Sequence, residues 1–208
     1  MIAEDRINAA ALLLARGAPQ RPALVCGRRS LSYGELRRSV ARAASAWRQR
    51  GVEPGEVVML RGNHGMDHVV AFLGAMWAGA VPVPLRAALP RPGDEAHDVE
   101  FALDGSRPHA GQANGDGGTR WIAWQAEFGD LPAAAESPCE PGSPACWTEP
   151  RAWGARSARV LPHRFALSLS AQAGVLPLTP AHSMLGTLRA LRRGTTVILH
   201  ADAPRLAA

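Results

Sequence analysis

The stretch LSYGELRRSVARAASAWRQRGVEPGEVVML, residues 31–60, carries the strongest fold signal in this chain. Ser32 and Glu35 stand three positions apart, the spacing of a capping box, where each side chain satisfies an amide left free at a helix N-terminus. Apolar residues then recur every three or four positions, and Gly51 follows where a helix C-terminus favours a positive φ. The pattern predicts a helix over 33–50.

Further strand and helix patterns lie on both sides of this helix. Strands are predicted near 23–26, 57–61, 80–84 and 195–199. A second helix is predicted over 65–78, with Asn63 as its N-cap, and two prolines confine the strand after it to a sheet edge or to the strand's own end. Trp47 and Trp77 are expected in the core. The alternation is typical of an α/β fold with a parallel-rich sheet and crossover helices.

Weaker patterns fill the rest of the chain. A helix is expected over 94–106, a short strand over 107–112 and a loop over 111–118. Prolines and glycines accumulate over 131–150, which predicts a connecting segment with little regular structure.

The N-terminal residues predict an amphipathic surface helix, because Ile7, Ala11 and Leu14 fall at helical spacing. Acidic residues at the fourth and fifth positions stand where a signal peptide carries positive charge. The longest uncharged run, 69–85, is interrupted by glycine and proline and is shorter than the roughly 20 apolar residues that span a bilayer. A cytoplasmic protein without a membrane segment is expected.

Every one of the 23 basic residues is arginine, and 18 acidic residues leave a formal charge of +5. A basic balance is one signal of a nucleic-acid partner. The arginines are dispersed, so solvated helix faces are the favoured interpretation and no nucleic-acid partner is expected. Those of the predicted helix are Arg37, Arg38, Arg42, Arg48 and Arg50. Cys26, Cys139 and Cys146 lack Cys-x-x-Cys spacing, so neither a disulfide framework nor a zinc site is indicated.

Two motifs carry a family resemblance. LSYGEL (31–36) and WAGAVPVPL (77–85) resemble, in order and spacing, the first two core motifs of the adenylate-forming (ANL) superfamily, which includes acyl- and aryl-CoA ligases and peptide-synthetase adenylation domains. The segment VLPLTPAHSMLGTLRALRRGTTVIL (175–199) resembles the region after that family's nucleotide loop. The resemblance implies part of the N-terminal subdomain of the ANL fold, nearest in kind to benzoate-type CoA ligases.

The resemblance implies chemistry with ATP, Mg²⁺ and coenzyme A, in which a Ser/Thr/Gly-rich loop carrying a lysine holds the ATP phosphates. The segment WTEPRAWGARSARV (147–160) occupies that position. Glycines let such a loop turn its amides toward phosphate, but here Gly154 stands alone, Glu149 repels phosphate and Pro150 removes a donor. The vestigial loop residues are Thr148, Arg151, Gly154 and Arg156.

The favoured interpretation is a surface loop, now mobile, that has lost its phosphate cradle. The alternative is that Arg151, Arg156 and Arg159 replace the lysine as bidentate phosphate ligands. The spacing to the later segment is also shorter than in the family, which suggests a shortened or missing helix.

Other candidate site residues have simpler explanations. His182 falls near the position where relatives contact the acyl or aryl group, but a helix cap after Pro180 is favoured. His64 and His68 are four residues apart and could share a metal, although solvent-facing positions are favoured. Asp67 and Asp94 are expected to be helix-start charges. No residue is assigned to catalysis and none to a metal.

These observations divide the chain into an N-terminal α/β region (1–130), a connector with the degenerate phosphate loop (131–160) and a partial continuation (161–208). The family's adenine and ribose motifs, its metal carboxylate and the lysine of its mobile C-terminal domain are not found. We expect a truncated ligase-like protein that, by itself, uses no cofactor.

Two other functions stay open. The chain is half of a split ligase completed by another chain, or a non-catalytic module that binds a partner or an acyl group. A protein partner or a homo-oligomer is expected through exposed apolar surface.

Overall fold

The computed structural model describes residues 6–62, 65–86, 99–104, 122–123, 131–147, 160–169, 178–180 and 184–199. The helices are α1 (Ala9–Leu14), α2 (Tyr33–Gln49), α3 (Met66–Trp77), α4 (Phe165–Ser168) and α5 (Met184–Arg192). The strands are β1 (Pro22–Cys26), β2 (Arg29–Ser32), β3 (Val57–Gly62), β4 (Val81–Arg86), β5 (Val99–Asp104), β6 (Ile122–Ala123), β7 (Pro144–Trp147), β8 (Val160–Pro162), β9 (Leu178–Pro180) and β10 (Thr196–Leu199).

The long helix α2 forms as its sequence predicts. The backbone amide of Ser32 donates to Glu35 Oε2 at 2.8 Å, and the amide of Glu35 donates to Ser32 Oγ at 3.2 Å, which completes the capping box. The helix ends before Gly51, whose φ is 81°. Trp47 is fully buried and its indole N–H donates to the carbonyl of Ala71 in α3 at 3.0 Å. The predicted helix and the inward position of its tryptophan are confirmed.

The strands form mixed sheets. One sheet has the order β2–β1–β10–β9, in which β1, β10 and β9 run parallel. A second has the order β4–β3–β5–β6, in which β3 pairs with β4 in parallel and with β5 in antiparallel. The α/β class is therefore confirmed, but placing the four predicted strands in one sheet was wrong. Short apolar runs predict extended backbone, whereas tertiary packing selects which strands pair.

The strand β5 corrects the helix expected over 94–106. Val99 to Asp104 alternates apolar and acidic or small residues, a period of two rather than of 3.6. Its register with β3, from Val57 opposite Asp104 to Gly62 opposite Val99, gives the backbone six consecutive partners. The strand and loop expected over 107–118 lie outside the described residues.

Helices α2 and α3 pack against each other between the two sheets. The first contacts β1 and β2, and the second contacts β3 and β4. Their close approach depends on Gly74, since a Cβ there would lie 2.5 Å from Ala43 Cβ. Every residue of α3 from His68 to Met76 is buried, whereas Trp77 is partly exposed. The N-cap is Gly65; the predicted cap, Asn63, lies outside the described residues.

Helix α1 is shorter and more deeply buried than the predicted surface helix. Ile7 precedes it and pairs with Cys139, while Leu13 and Leu14 are fully buried. Asn8 is the N-cap: its Oδ1 accepts from the amides of Ala10 and Ala11. The helix lies against α3, α4 and α5, and only Ala11 and Leu12 of its six residues are partly exposed.

Two arginines of α2 bind backbone instead of pointing only into solvent. Arg37 Nε donates to the carbonyl of Leu14 at 3.0 Å, and its Nη2 donates to that of Gly17 at 2.9 Å. Arg48 donates to the carbonyl of Ala135 at 2.8 Å and to Ser137 Oγ at 3.0 Å. Arg48 is nevertheless exposed and Arg37 is partly exposed, so these contacts add to the predicted solvated faces and do not contradict them.

The connector is irregular over 131–143, as predicted, but hydrogen bonds hold it against the helices. Asn8 Nδ2 contacts the carbonyls of Met76 and Trp77 at 3.1 Å and that of Ser137 at 3.0 Å. Ser137 Oγ donates to the carbonyl of Ala78 at 2.7 Å. The connector's last residues then form β7, which is regular structure that the sequence did not predict.

Candidate functional site

The predicted phosphate loop starts and ends in a β-hairpin. Strand β7 pairs antiparallel with β8, and Trp147 is directly opposite Val160. The connection between the two strands is therefore 148–159. Its named residues (Thr148, Arg151, Gly154 and Arg156) lie outside the described residues, as do Glu149, Pro150 and Arg159. The end residues of the predicted mobile segment are paired, and mobility of the connection itself stays a prediction.

The hairpin rests on the β3–β4 pair. Trp147 packs against a cluster formed by the buried residues Met59 and Val83, against which Val57 and Leu85 also pack. The alternate residues of β3, Val58 and Leu60, belong to the core shared with α3. Because successive strand residues point to opposite faces, β3 and β4 are covered by α3 on one face and by the hairpin on the other. This packing fixes where the connection leaves the sheet.

His163 joins the foot of the hairpin to α1. Its backbone amide donates to the carbonyl of Ser143 at 2.9 Å, and its Nδ1 accepts the amide of Ala9 at 3.0 Å. The side chain is 1% exposed, and burial lowers the pKa of His163 to about 4. Nδ1 acts as an acceptor, so the neutral ring carries its proton on Nε2.

Nothing in the sequence pattern singled out His163. Its partner is 154 residues away, and the only local signal is a histidine directly after an apolar strand.

The two cysteines of this region do not suit nucleophilic chemistry. Cys146 is 1% exposed in β7, and burial raises the pKa of its thiol to about 12. Burial also raises the pKa of the Cys139 thiol, with Arg6 acting in the opposite direction. A thiol reacts as the thiolate, so both remain in the unreactive form near neutral pH.

The motif LSYGEL has a structural role. Tyr33 is fully buried in α2, and its hydroxyl lies 2.9 Å from the carbonyl of Thr195 and 3.3 Å from that of Leu191. Burial raises the pKa of Tyr33 far above its usual value. The motif therefore joins α2 to the turn between α5 and β10.

The motif WAGAVPVPL forms the end of α3, a turn and the strand β4. Trp77 Nε1 donates to the carbonyl of Ala134 at 2.9 Å, which holds the connector against the helix. Strand β4 is the edge of its sheet in the described part of the chain, as its prolines predicted. The Ser32 hydroxyl and the Glu35 carboxylate of LSYGEL are hydrogen-bonded to each other at 2.8 Å within the capping box.

The histidine and carboxylate candidates do not converge on a site. His68 is 3% exposed in α3, so the solvent-facing prediction was wrong for it, because neighbours cover this helix on nearly all sides. His64, His182 and Asp94 lie outside the described residues. Asp67 stands in the first turn of α3 as predicted, and both its oxygens contact the Arg29 guanidinium at 3.2 Å. No group of three or more His, Cys, Asp or Glu suited to a metal is found within the described ranges.

Similarity to solved structures defines the fold. A nonribosomal peptide synthetase, FmoA3, solved with AMPPNP bound, matches 93% of this chain and 23% of its own chain with a TM-score of 0.65 at 20% identity. The mixed α/β fold is that of adenylate-forming enzymes.

Sequence comparison adds relatives of the same kind. The family model described as AMP-binding enzyme matches residues 14–110. The 3-hydroxybenzoate–CoA ligase of Aromatoleum sp. (strain CIB) is 39% identical over 94 residues, which cover 45% of this chain and 17% of the relative. Tyrocidine synthase 3 of Brevibacillus parabrevis is 29% identical over 89 residues, 43% of this chain and 1% of the synthase. The resemblance to aryl-CoA ligases and adenylation domains is confirmed, and the chain spans less than a fifth of these relatives.

Among the described residues, no helix is both long enough and apolar enough to cross a bilayer.

Proposed function

We propose that this chain is an adenylate-forming ligase-like protein that does not form an acyl-adenylate by itself. The observation that carries the proposal is the content of the hairpin connection 148–159, which has one glycine, one proline and no lysine. Loops that hold phosphates do so mainly with backbone amides, and these need conformations that glycine adopts most readily. Glu149 adds a charge of the wrong sign.

The residues of the connection 148–159 therefore do not fit the phosphates of a nucleoside triphosphate. Phosphoryl and adenylyl transfer depend on cations positioned in advance around the phosphates. No lysine is present anywhere in the 208 residues to take that role. ATP and coenzyme A accordingly belong to the matched family, magnesium is implied by the resemblance alone, and this chain by itself is proposed to use none of the three.

The test is ATP–pyrophosphate exchange with magnesium and a panel of carboxylates, including 3-hydroxybenzoate because of the ligase that matches. We expect exchange at background for every acid, with folded protein verified by circular dichroism. Exchange above background that Arg156→Ala abolishes and Arg28→Ala leaves intact would establish the arginine cradle and end this proposal. Arg28 is a suitable control because it is exposed in the β1–β2 turn.

A second candidate is a ligase completed by another chain. It is favoured by the coverage of the relatives, since 17% of the hydroxybenzoate ligase is matched and its remaining length has no counterpart in the match. Mixing this chain with that ligase lacking its matched region tests the idea. Exchange in the mixture, and in neither component alone, would favour completion, whereas inactivity of both and of the mixture would favour a non-catalytic module.

Cytoplasmic location and association through apolar surface are also proposals. The described residues leave Val160 at 43% and Leu167 at 54% exposure, and these are the large apolar side chains available for such association.

A further inference from the structure

Positive charge is distributed unevenly along this chain. Seventeen of the 18 acidic residues precede position 150, and residues 150–201 contain seven arginines and no carboxylate. Three of the seven, Arg189, Arg192 and Arg193, stand at the end of α5. A soluble domain usually mixes both signs on its surface, so a one-sided stretch is a candidate for recognition of an opposite charge.

The structure gathers a fourth arginine at the same place. Arg192 Nη1 donates to the carbonyl of Leu12 in α1 at 2.9 Å, and a Cβ at Gly194, just after α5, would lie 3.2 Å from the carbonyl oxygen of Arg16. Burial lowers the pKa of Arg192, and the positive charge of Arg16 lowers it further. No ion pair joins any of these four arginines to a carboxylate within the described residues.

A groove lies beside this cluster. It is lined by Ser168 and Leu169 at the end of α4 and by Arg189 and Arg193, and its volume is about 180 Å³. Both arginines are exposed, and Leu167 before them in the chain is 54% exposed on the same short helix. Pockets for small molecules usually measure about 300–1,000 Å³, so this groove is too small to enclose one.

Complementing the helix dipole explains only part of the cluster. Cations in the last turn of a helix are stabilising, and Arg192 also satisfies a backbone carbonyl. Arg189 and Arg193, however, are four residues apart on one face, where like charges repel. Neither side chain donates a hydrogen bond to another described residue. Within the described part of the chain, no contact therefore offsets the repulsion between the two guanidinium groups.

We propose that the groove between α4 and α5 is a docking site for an acidic, amphipathic segment of a partner protein. Side chains four apart on a helix are separated by about 5–6 Å at Cβ, which matches carboxylates spaced in the same way on a partner helix. Leu167 and Leu169 supply apolar contact area beside the charges. The described lining has no aromatic residue on which a nucleic-acid base could stack, which favours protein over nucleic acid.

The experiment measures fluorescence anisotropy of a labelled helical peptide in which Glu pairs at i, i+4 flank a leucine stripe. We expect the purified full chain to bind it, and binding to weaken as salt rises from about 0.05 to about 0.5 M. The double variant Arg189→Gln, Arg193→Gln should weaken binding roughly tenfold. The control Arg28→Gln, Arg38→Gln removes the same charge from exposed positions elsewhere and should weaken it less than about twofold.

Equal weakening in both double variants would overturn the proposal, because general charge would then explain binding. Displacement of the peptide by inorganic phosphate at equal ionic strength would overturn it in favour of a small-anion site. Tighter binding of a single-stranded oligonucleotide with the same variant dependence would overturn it in favour of nucleic acid. The site contains no residue of 148–159, so its failure and the failure of the ATP proposal are independent.

Discussion

The helical layer and the hairpin region are held together in different ways. Helices α2 and α3 pack through apolar surface, with Gly74 allowing their axes to approach. The hairpin, α1 and the connector also contribute apolar side chains to the core, but they are fastened in addition by polar side chains that bind distant backbone, as Asn8 and His163 do. A layer of the first kind tolerates changes that preserve volume, whereas a junction of the second kind fails when one buried partner is lost.

The largest effect is expected at Asn8, which serves both α1 and the end of α3. Asn8→Asp removes the donors facing three carbonyls and buries a charge, so we expect a loss of about 4 kcal/mol in the free energy of unfolding at pH 7. Urea unfolding measures it. Gln20→Glu, an equal charge change at an exposed position, should cost less than about 0.5 kcal/mol. Equal losses in the two variants would contradict the role of Asn8.

A pH-dependent loss is expected at His163. Its folded pKa, about 4, lies below the unfolded value of 6.5, so the stabilisation is complete above pH 6.5 and is lost as pH falls toward 4. Between pH 7.5 and pH 5 we expect about 2 kcal/mol from this residue. His163→Asn keeps an acceptor near the position of Nδ1 but does not titrate. Between pH 7.5 and pH 5, the unfolding free energy of this variant should therefore fall by about 2 kcal/mol less than that of the unchanged protein. Identical pH dependence in the two proteins would rule out the neutral acceptor.

A smaller effect is expected at the α2–α3 contact. Gly74→Ala places a methyl group against Ala43, at a cost of about 2 kcal/mol that helix propensity partly offsets, leaving a net loss of about 1.5 kcal/mol. The double variant Gly74→Ala, Ala43→Gly should relieve the clash. Chemical denaturation of the four proteins gives the coupling energy, and strict additivity would show that the two positions do not touch.

The smallest effect is expected at the exposed cap of α2. Ser32→Ala should reduce the free energy of unfolding by about 1 kcal/mol, because the amide of Glu35 loses its acceptor. Ser32→Thr retains the hydroxyl and should cost a few tenths, as should Ser30→Ala in β2. A loss in Ser30→Ala as large as in Ser32→Ala would show that strand β2, rather than the cap, is sensitive.

Local sequence signals were sufficient to predict the elements α2, α3, β1, β3, β4 and β10, because each signal depends on residues that are close together in the chain. The helix predicted over 94–106 was wrong for 99–104, where Val99, Phe101 and Leu103 alternate with acidic or small residues, and its other residues lie outside the described ranges. The division into 1–130, 131–160 and 161–208 stays a prediction, as do the roles of His182 and the loop residues.

The sequence by itself determined the α/β class, the bounds of α2 and α3 to within a residue, the family resemblance and the absence of lysine. These follow from periodicity, capping and motif order, which are properties of short stretches. The tertiary structure decided that the strands divide into separate sheets and that β7 and β8 frame the connection 148–159. It also decided that His68 is buried and that Asn8 and His163 fasten α1. Each of these depends on contacts between residues far apart in the chain, and a buried polar group acquires its partner only when folding brings that partner to it.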